Sequence, residues 1–324
     1  MVQMHTLGKG YPLMSKYKMQ EITGVIPAML SMFDEHENVD VQRTRDMVEF
    51  LLHNDIGGLY LTGSTGEGFL MDHDERKLVV DTVIEQVNGR CPIIVHVGDI
   101  GTRKSIQLAE HAQKAGADAI SSVPPFYWRF SQDDVFNYYK DLSESVDIPT
   151  VVYNVPLAGL MGADQIMRIA QLPNVQGLKF TGKDHDQMAF LMASLGKDFI
   201  VYSGCDEMAL SGLTVGAQGI IGSFYNVMPE LFIQIYNAVQ SGRTAEGRRL
   251  QYIATEIILE TIKGDFFSLM RHMIKWQGVD AGFSRRPFHN YADGDLDAFK
   301  AALLAIRDKY SVTEDEVHFF AGLK

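Results

Sequence analysis

Residues 92–123, PIIVHVGDIGTRKSIQLAEHAQKAGADAISSV, hold two short apolar runs, Pro92 to Gly98 and Ala119 to Val123, separated by a helical pattern over Arg103 to Ala115. That order reads as a parallel strand pair joined by a helical crossover. Working outward, the unit recurs. Gly24 to Leu30 precedes a helix at Val41 to His53, and Gly58 to Gly63 precedes one at Asp74 to Val87. Past Val123 come a helix from about Gln132, a run at Pro149 to Val155 with a helix near Ala163, and Val175 to Thr181 with one near Asp184. Phe199 to Ser203 and Gly219 to Ser223 open the last two units. Eight such units predict an α/β fold, a closed (β/α)8 TIM barrel over residues 22–240, although periodicity alone also allows a seven-stranded open sheet.

Residues 241–324 read as helices without strands, and the segment Ala245 to Ile262 puts Leu250, Ile253, Ile257, Ile258 and Ile262 near one face. This C-terminal helical region is expected to pack on the barrel or on another subunit and to do no chemistry itself. Residues 1–21 lack periodic order, a continuous apolar core and the length of a membrane span, and are expected to be a poorly ordered N-terminal extension.

At 324 residues, 46% hydrophobic and 22% charged, the chain can bury a large core. Its formal net charge of −12, with no basic stripe, argues against nucleic acid and anionic membranes as partners. The two cysteines, Cys91 and Cys205, have no metal-like or disulfide-framework spacing, which makes a reducing cytoplasm the simplest compartment.

The chemistry is sought at the C-terminal ends of the strands, where barrel enzymes place their sites. Lys179 sits inside the run Val175-Gln-Gly-Leu-Lys-Phe-Thr181. Burial penalises an ammonium, so a lysine there is either a neutral amine able to attack a ketone or an edge residue whose head reaches water. Thr181, two residues on, shares the inward face. Gly63-Ser-Thr-Gly-Glu-Gly68 offers backbone amides and the hydroxyls of Ser64 and Thr65, suited to a carboxylate, or forms an ordinary glycine-rich turn. It lacks the Lys-Ser/Thr ending of a phosphate loop, and its spacing does not fit a dinucleotide fingerprint. Tyr153, in Val152-Tyr-Asn-Val-Pro156, is a proton relay at the mouth or a core tyrosine. Ser203-Gly-Cys-Asp-Glu207 places two acids beside a glycine, though Asp206 would also serve as a helix N-cap, and Gly222-Ser-Phe-Tyr-Asn226 ends the eighth run.

Taken together, over roughly residues 22–310, these segments resemble the pyruvate-dependent class I aldolase family that includes N-acetylneuraminate lyase and dihydrodipicolinate synthase. Gly-Ser-Thr-Gly-Glu, Tyr-Asn-Val-Pro and Gly-Leu-Lys-x-Thr stand in that family's order and spacing, and Gly24-Val-Ile-Pro-Ala-Met-Leu-Ser-Met-Phe33 is similar to its first strand. The resemblance implies an imine-forming Lys179, a carboxylate site at Ser64 and Thr65, and proton transfer by Tyr153, with no metal and no cofactor. It implies that Gly204, Asp206, Glu207 and Ser223 bind the polyhydroxyl part of a sugar acid. It also implies that Tyr127 reaches across a dimer interface, and that the chain forms a homo-oligomer, commonly a tetramer.

Leu157-Ala-Gly159 stands where synthases usually carry an arginine, and Ser64-Thr65 is the lyase arrangement, so the expected substrate is N-acetylneuraminate. The alternatives are pyruvate with aspartate semialdehyde, or another 2-keto-3-deoxy sugar acid. A non-catalytic pyruvate- or sialate-binding protein is disfavoured because Lys179 and Tyr153 are both intact. Phe180, Cys205 and Phe224 depart from the family pattern.

Overall fold

Each expected strand is buried on both faces, which is why its apolar run is continuous rather than alternating. In the computed structural model, which describes residues 16–323, the strands are β1 (Gly24–Pro27), β2 (Leu59–Leu61), β3 (Ile93–His96), β4 (Ala119–Ser122), β5 (Thr150–Asn154), β6 (Val175–Phe180), β7 (Ile200–Ser203) and β8 (Gly219–Gly222). All pair in parallel in the order β1-β8-β7-β6-β5-β4-β3-β2. The ends meet where Ala28 bridges Tyr60 and the Met29 amide donates to Tyr60 O at 2.9 Å. The sheet is therefore a closed barrel.

Side chains alternate between two apolar layers. Tyr60, Ile94, Val151, Ile200, Tyr202 and Ile221 fill the interior, while Leu61, Val95, Val152, Leu178 and Val201 pack outward beneath the helices. Those helices are α1 (Val41–Leu52), α2 (His73–Val87), α3 (Thr102–Ala115), α4 (Gln132–Glu144), α5 (Ala163–Ile169), α6 (His185–Leu195), α7 (Ala209–Val215) and α8 (Pro229–Gln240). Local sequence sets their ends. Asp72 caps α2 by accepting from the Glu75 amide at 2.9 Å while Glu75 accepts from the Asp72 amide, a reciprocal pair that fixes where the helix leaves the β2 loop.

One boundary differs from expectation. Lys16 to Glu21 do not belong to a loose extension: Met19 is buried in the interior cluster, and the Lys16 amide donates to Asp118 Oδ1 at 3.0 Å. The reason is steric. Gly177 leaves space at the barrel floor, where an added Cβ would lie 3.2 Å from Met19 Cε. A methionine from an aperiodic segment fills it, and no periodicity announces such a plug. Residues 1–15, the rest of the expected extension, lie outside the described residues.

After the barrel come α9 (Thr244–Thr261), α10 (Phe266–Lys275), α11 (Asp297–Tyr310) and α12 (Phe319–Gly322). Leu250, Ile253, Ile257 and Ile258 of α9 join the outer core as the spacing implies, whereas Ile262 is half exposed. Among the described residues no helix is long and apolar enough to cross a membrane, and Cys91 and Cys205 are free and buried.

Candidate active site

The C-terminal ends of the strands open into a cavity of about 770 Å³. Ser64, Thr65, Tyr153, Lys179, Thr181, Gly204 and Ser223 all border it, so loops after β2, β5, β6, β7 and β8 converge as the sequence implies. Lys179 is 4% exposed, and its Nζ lies 4.2 Å from the Tyr153 ring centroid and 4.4 Å from that of Tyr60. Burial brings this amine down to about 7, against the opposing pull of Asp206. Cys205, whose thiol burial pushes up to about 12, is uncharged at neutral pH and leaves Asp206 as the effective counter-charge. Near neutrality the lysine is therefore divided between ammonium and nucleophilic amine.

Burial pushes the Tyr153 phenol up to about 12, and the facing hydroxyls of Thr181 and Ser64 temper the rise. The phenol is thus a proton donor at neutral pH. Thr181 Oγ1 is buried without a hydrogen bond of normal geometry in the protein, an acceptor and donor free for a ligand. Only glycine fits at 204, because a Cβ there would lie 2.0 Å from Thr181 Oγ1 and 3.3 Å from Lys179 Cε. The requirement is close approach, since the backbone of this loop passes directly over the lysine.

Thr65 Oγ1 and Ser223 Oγ are 2.7 Å apart, tying the β2 and β8 loops together. Asp206 stands behind this pair: its Oδ2 accepts from the amides of Ser223 at 2.9 Å and Phe224 at 2.8 Å. Burial raises its carboxyl to about 6, with the two amides and Lys179 resisting and Glu207 adding to the rise. Neither Asp206 nor Glu207 borders the cavity. In this structure Asp206 shapes the β8 loop, and α9 clamps the segment from behind through Gln251 Nε2, which donates to Asp206 O at 3.1 Å. Tyr127 also stands away from the cavity, 82% exposed, with positive φ and its ring 4.8 Å from that of Trp128. Phe180 and Phe224 pack in the outer core, so two of the three departures from the family pattern lie away from the floor.

Sequence reasoning missed several residues. Glu67, read only as part of a glycine loop, adopts left-handed backbone and is buried, with its Oε1 2.7 Å from Arg271 Nη2 and its Oε2 accepting from the Arg285 amide at 2.8 Å. Arg271 also donates from Nη2 to Ser31 O at 2.8 Å and from Nε to Ser284 Oγ at 3.2 Å. The C-terminal region thereby grips the loop that carries Ser64 and Thr65, and Phe266, Phe267 and Phe288 complete the cavity wall. One signal was available: Phe267, Met270, Arg271 and Ile274 share a helical face, so Arg271 occupies a core position. Burial pushes the Glu67 carboxyl up and the Arg271 guanidinium down, so desolvation opposes the pair even as its geometry is satisfied. Arg271→Met is accordingly expected to cost about 3–5 kcal/mol by stranding the carboxylate. Adding Glu67→Gln should restore part of that loss, which denaturant unfolding of the single and double variants measures.

The chain is similar to several known proteins over most of its length. The chain is 36% identical over 288 residues to the N-acetylneuraminate lyase of Rhizobium meliloti, covering 88% of this chain and 96% of the relative. It is 36% identical over 286 residues to that of Citrobacter koseri, covering 87% and 96%. Among solved structures, the Ruminococcus gnavus sialic acid aldolase catalytic lysine mutant superposes with a TM-score of 0.86 at 28% identity, covering 91% of this chain and 98% of the other. The N-acetylneuraminate lyase of Mycoplasma synoviae superposes with a TM-score of 0.83 at 30% identity, covering 90% and 99%. A model of the dihydrodipicolinate synthetase family matches residues 21–306, and with it the chain belongs to that family, as a carbon–carbon lyase of the aldolase type.

Proposed function

We propose that the protein is a Schiff-base aldolase that reversibly cleaves a 2-oxo sugar acid, N-acetylneuraminate first among them, to pyruvate and the corresponding aldehyde sugar. The observation that carries this reading is the buried Lys179 amine against Tyr153, in a cavity that the hydroxyl-bearing Ser64, Thr65, Thr181 and Ser223 also border. The names of the relatives support the sugar acid. The segment Leu157-Ala-Gly159, which holds no arginine to bind a second carboxylate, speaks against aspartate semialdehyde as the partner.

In the proposed mechanism Ser64 and Thr65 hold the substrate carboxylate, which turns the C2 ketone toward Nζ. The neutral amine adds to C2, and the Tyr153 phenol gives its proton to the departing oxygen, so that water leaves and a protonated imine remains. The resulting phenolate then takes the proton of the C4 hydroxyl as the C3–C4 bond breaks. That electron pair flows into the imine, leaving the enamine of pyruvate and a free aldehyde. Protonation at C3 and hydrolysis return pyruvate and Lys179. In this role Ser223, Thr181 and the Gly204 backbone receive substrate hydroxyls, Asp206 and Glu207 act from behind them, and Tyr127 serves the site of a second copy. The electron sink is the imine, so the scheme uses no metal or other cofactor.

The reading is tested by incubating the protein with N-acetylneuraminate and assaying pyruvate and N-acetylmannosamine separately; formation of neither would remove the sugar. A pH dependence follows from the buried amine. Because only the unprotonated form attacks, kcat/KM is expected to rise with pH through about 7 and then level. An ordinary lysine would keep the rate climbing toward about 10.4.

A further inference from the structure

We propose that the outer chamber of the cavity seats an apolar acyl chain, longer than acetyl, carried by the aldehyde half of the substrate; the inference rests on the sugar-acid aldolase reading above. The polar groups of the cavity gather at its floor, and above them the wall is formed by Phe69, Phe126, Leu157, Phe266, Phe267 and Phe288. Phe69 and Phe126 pair with ring centroids 4.8 Å apart, and Phe267 lies 4.1 Å from Phe266 and 4.6 Å from Phe288. These rings brace one another, so the wall is a built surface rather than a scatter of side chains.

Three of the polar side chains that border the cavity are already engaged, while Thr181 Oγ1 keeps its capacity for the sugar hydroxyls. Both Glu67 carboxylate oxygens are taken, by Arg271 and by the Arg285 amide, and Thr65 is bonded to Ser223. A bare polyol pressed against this wall would leave hydroxyls unpaired, at a cost in affinity. An acyl chain would instead cover apolar surface that now faces the opening, where Phe69 is 42% and Leu157 80% exposed. The volume also has room: about 770 Å³ lies in the upper part of the range that drug-sized ligands occupy.

The experiment is condensation of pyruvate with mannose and with N-acetyl-, N-butanoyl- and N-hexanoylmannosamine. The expected result is a kcat/KM that climbs along the acyl series, by roughly two- to fourfold per methylene buried, so that hexanoyl exceeds acetyl by about tenfold or more. A flat or falling series overturns the chamber. The double variant Phe69→Ser, Leu157→Ser removes two side chains of the wall that face the opening, and should bring the hexanoyl-to-acetyl ratio close to one while pyruvate is still trapped on Lys179; an unchanged ratio also overturns it. Borohydride trapping of pyruvate on Lys179 in the same samples keeps the two claims apart. Trapped pyruvate with a flat series removes the chamber and leaves the aldolase, whereas no trapping and no condensation removes the aldolase reading itself.

Discussion

Lys179→Ala is expected to lower turnover by about four orders of magnitude or more while leaving a folded barrel, because among the described residues no other lysine borders the cavity to form the imine. The companion variant Lys179→Met is expected to be more stable than the parent. In the unfolded chain this amine keeps its proton up to 10.5, while in the folded protein it loses it near 7. The unfolded state therefore binds more protons over that interval, and this group's contribution to stability rises with pH across it. At pH 7 nearly the full penalty is in force, and replacing the ammonium by an apolar side chain of similar length removes it. A melting temperature several degrees above the parent, in a protein with no turnover, would separate chemistry from folding. A Lys179→Met protein that melts lower would show that the cavity does not penalise the charge.

Tyr153→Phe is expected to lower kcat by about 10²- to 10⁴-fold with little change in KM, since a phenyl ring keeps the shape of the floor and loses only the hydroxyl that carries the proton. The phenol is held neutral by burial, and in the scheme above it serves twice, first as donor to the departing water and then, as phenolate, as acceptor from the C4 hydroxyl. The ring itself also matters. Its centroid lies 4.2 Å from Lys179 Nζ and 6.1 Å from that of Tyr60 in a T-shaped pair, so Tyr153→Phe should leave the lysine in place whereas Tyr153→Ala should not. Stopped-flow formation of the imine with pyruvate alone separates the two proton transfers: slow imine formation assigns the tyrosine to dehydration, and normal imine formation with slow cleavage assigns it to the C4 hydroxyl. An unchanged kcat would remove it from both.

How much of this was legible in the sequence depends on whether a feature is local. The barrel was, because a strand buried on both faces writes a continuous apolar run and a helix between two such runs writes its own period; Ile93–His96 and Ala119–Ser122 fall inside the runs that predicted them. The floor of the site was also legible, since Lys179 is anomalous in such a run and Thr181 follows it at the strand period. Contacts made across the fold were not. Met19 reaches the barrel floor from an aperiodic segment, and Arg271 reaches Glu67 across 204 positions of chain. Asp206 shows the limit from the other side: its residue type and place after β7 suggested a substrate ligand, but its carboxylate is turned onto the amides of Ser223 and Phe224. Which way a side chain points after a strand ends is decided by the neighbouring loop, and no period records it. The aromatic wall is a third case, because Phe69, Phe126, Phe266 and Phe288 come from four separate segments and only the fold brings them to one cavity.

The most direct measurement is intact-mass analysis and peptide mapping after the protein is mixed with N-acetylneuraminate and borohydride. A single reduced pyruvyl adduct on the peptide carrying Lys179, absent from Lys179→Ala, is the predicted result. Continued pyruvate production with no adduct at Lys179 would contradict it.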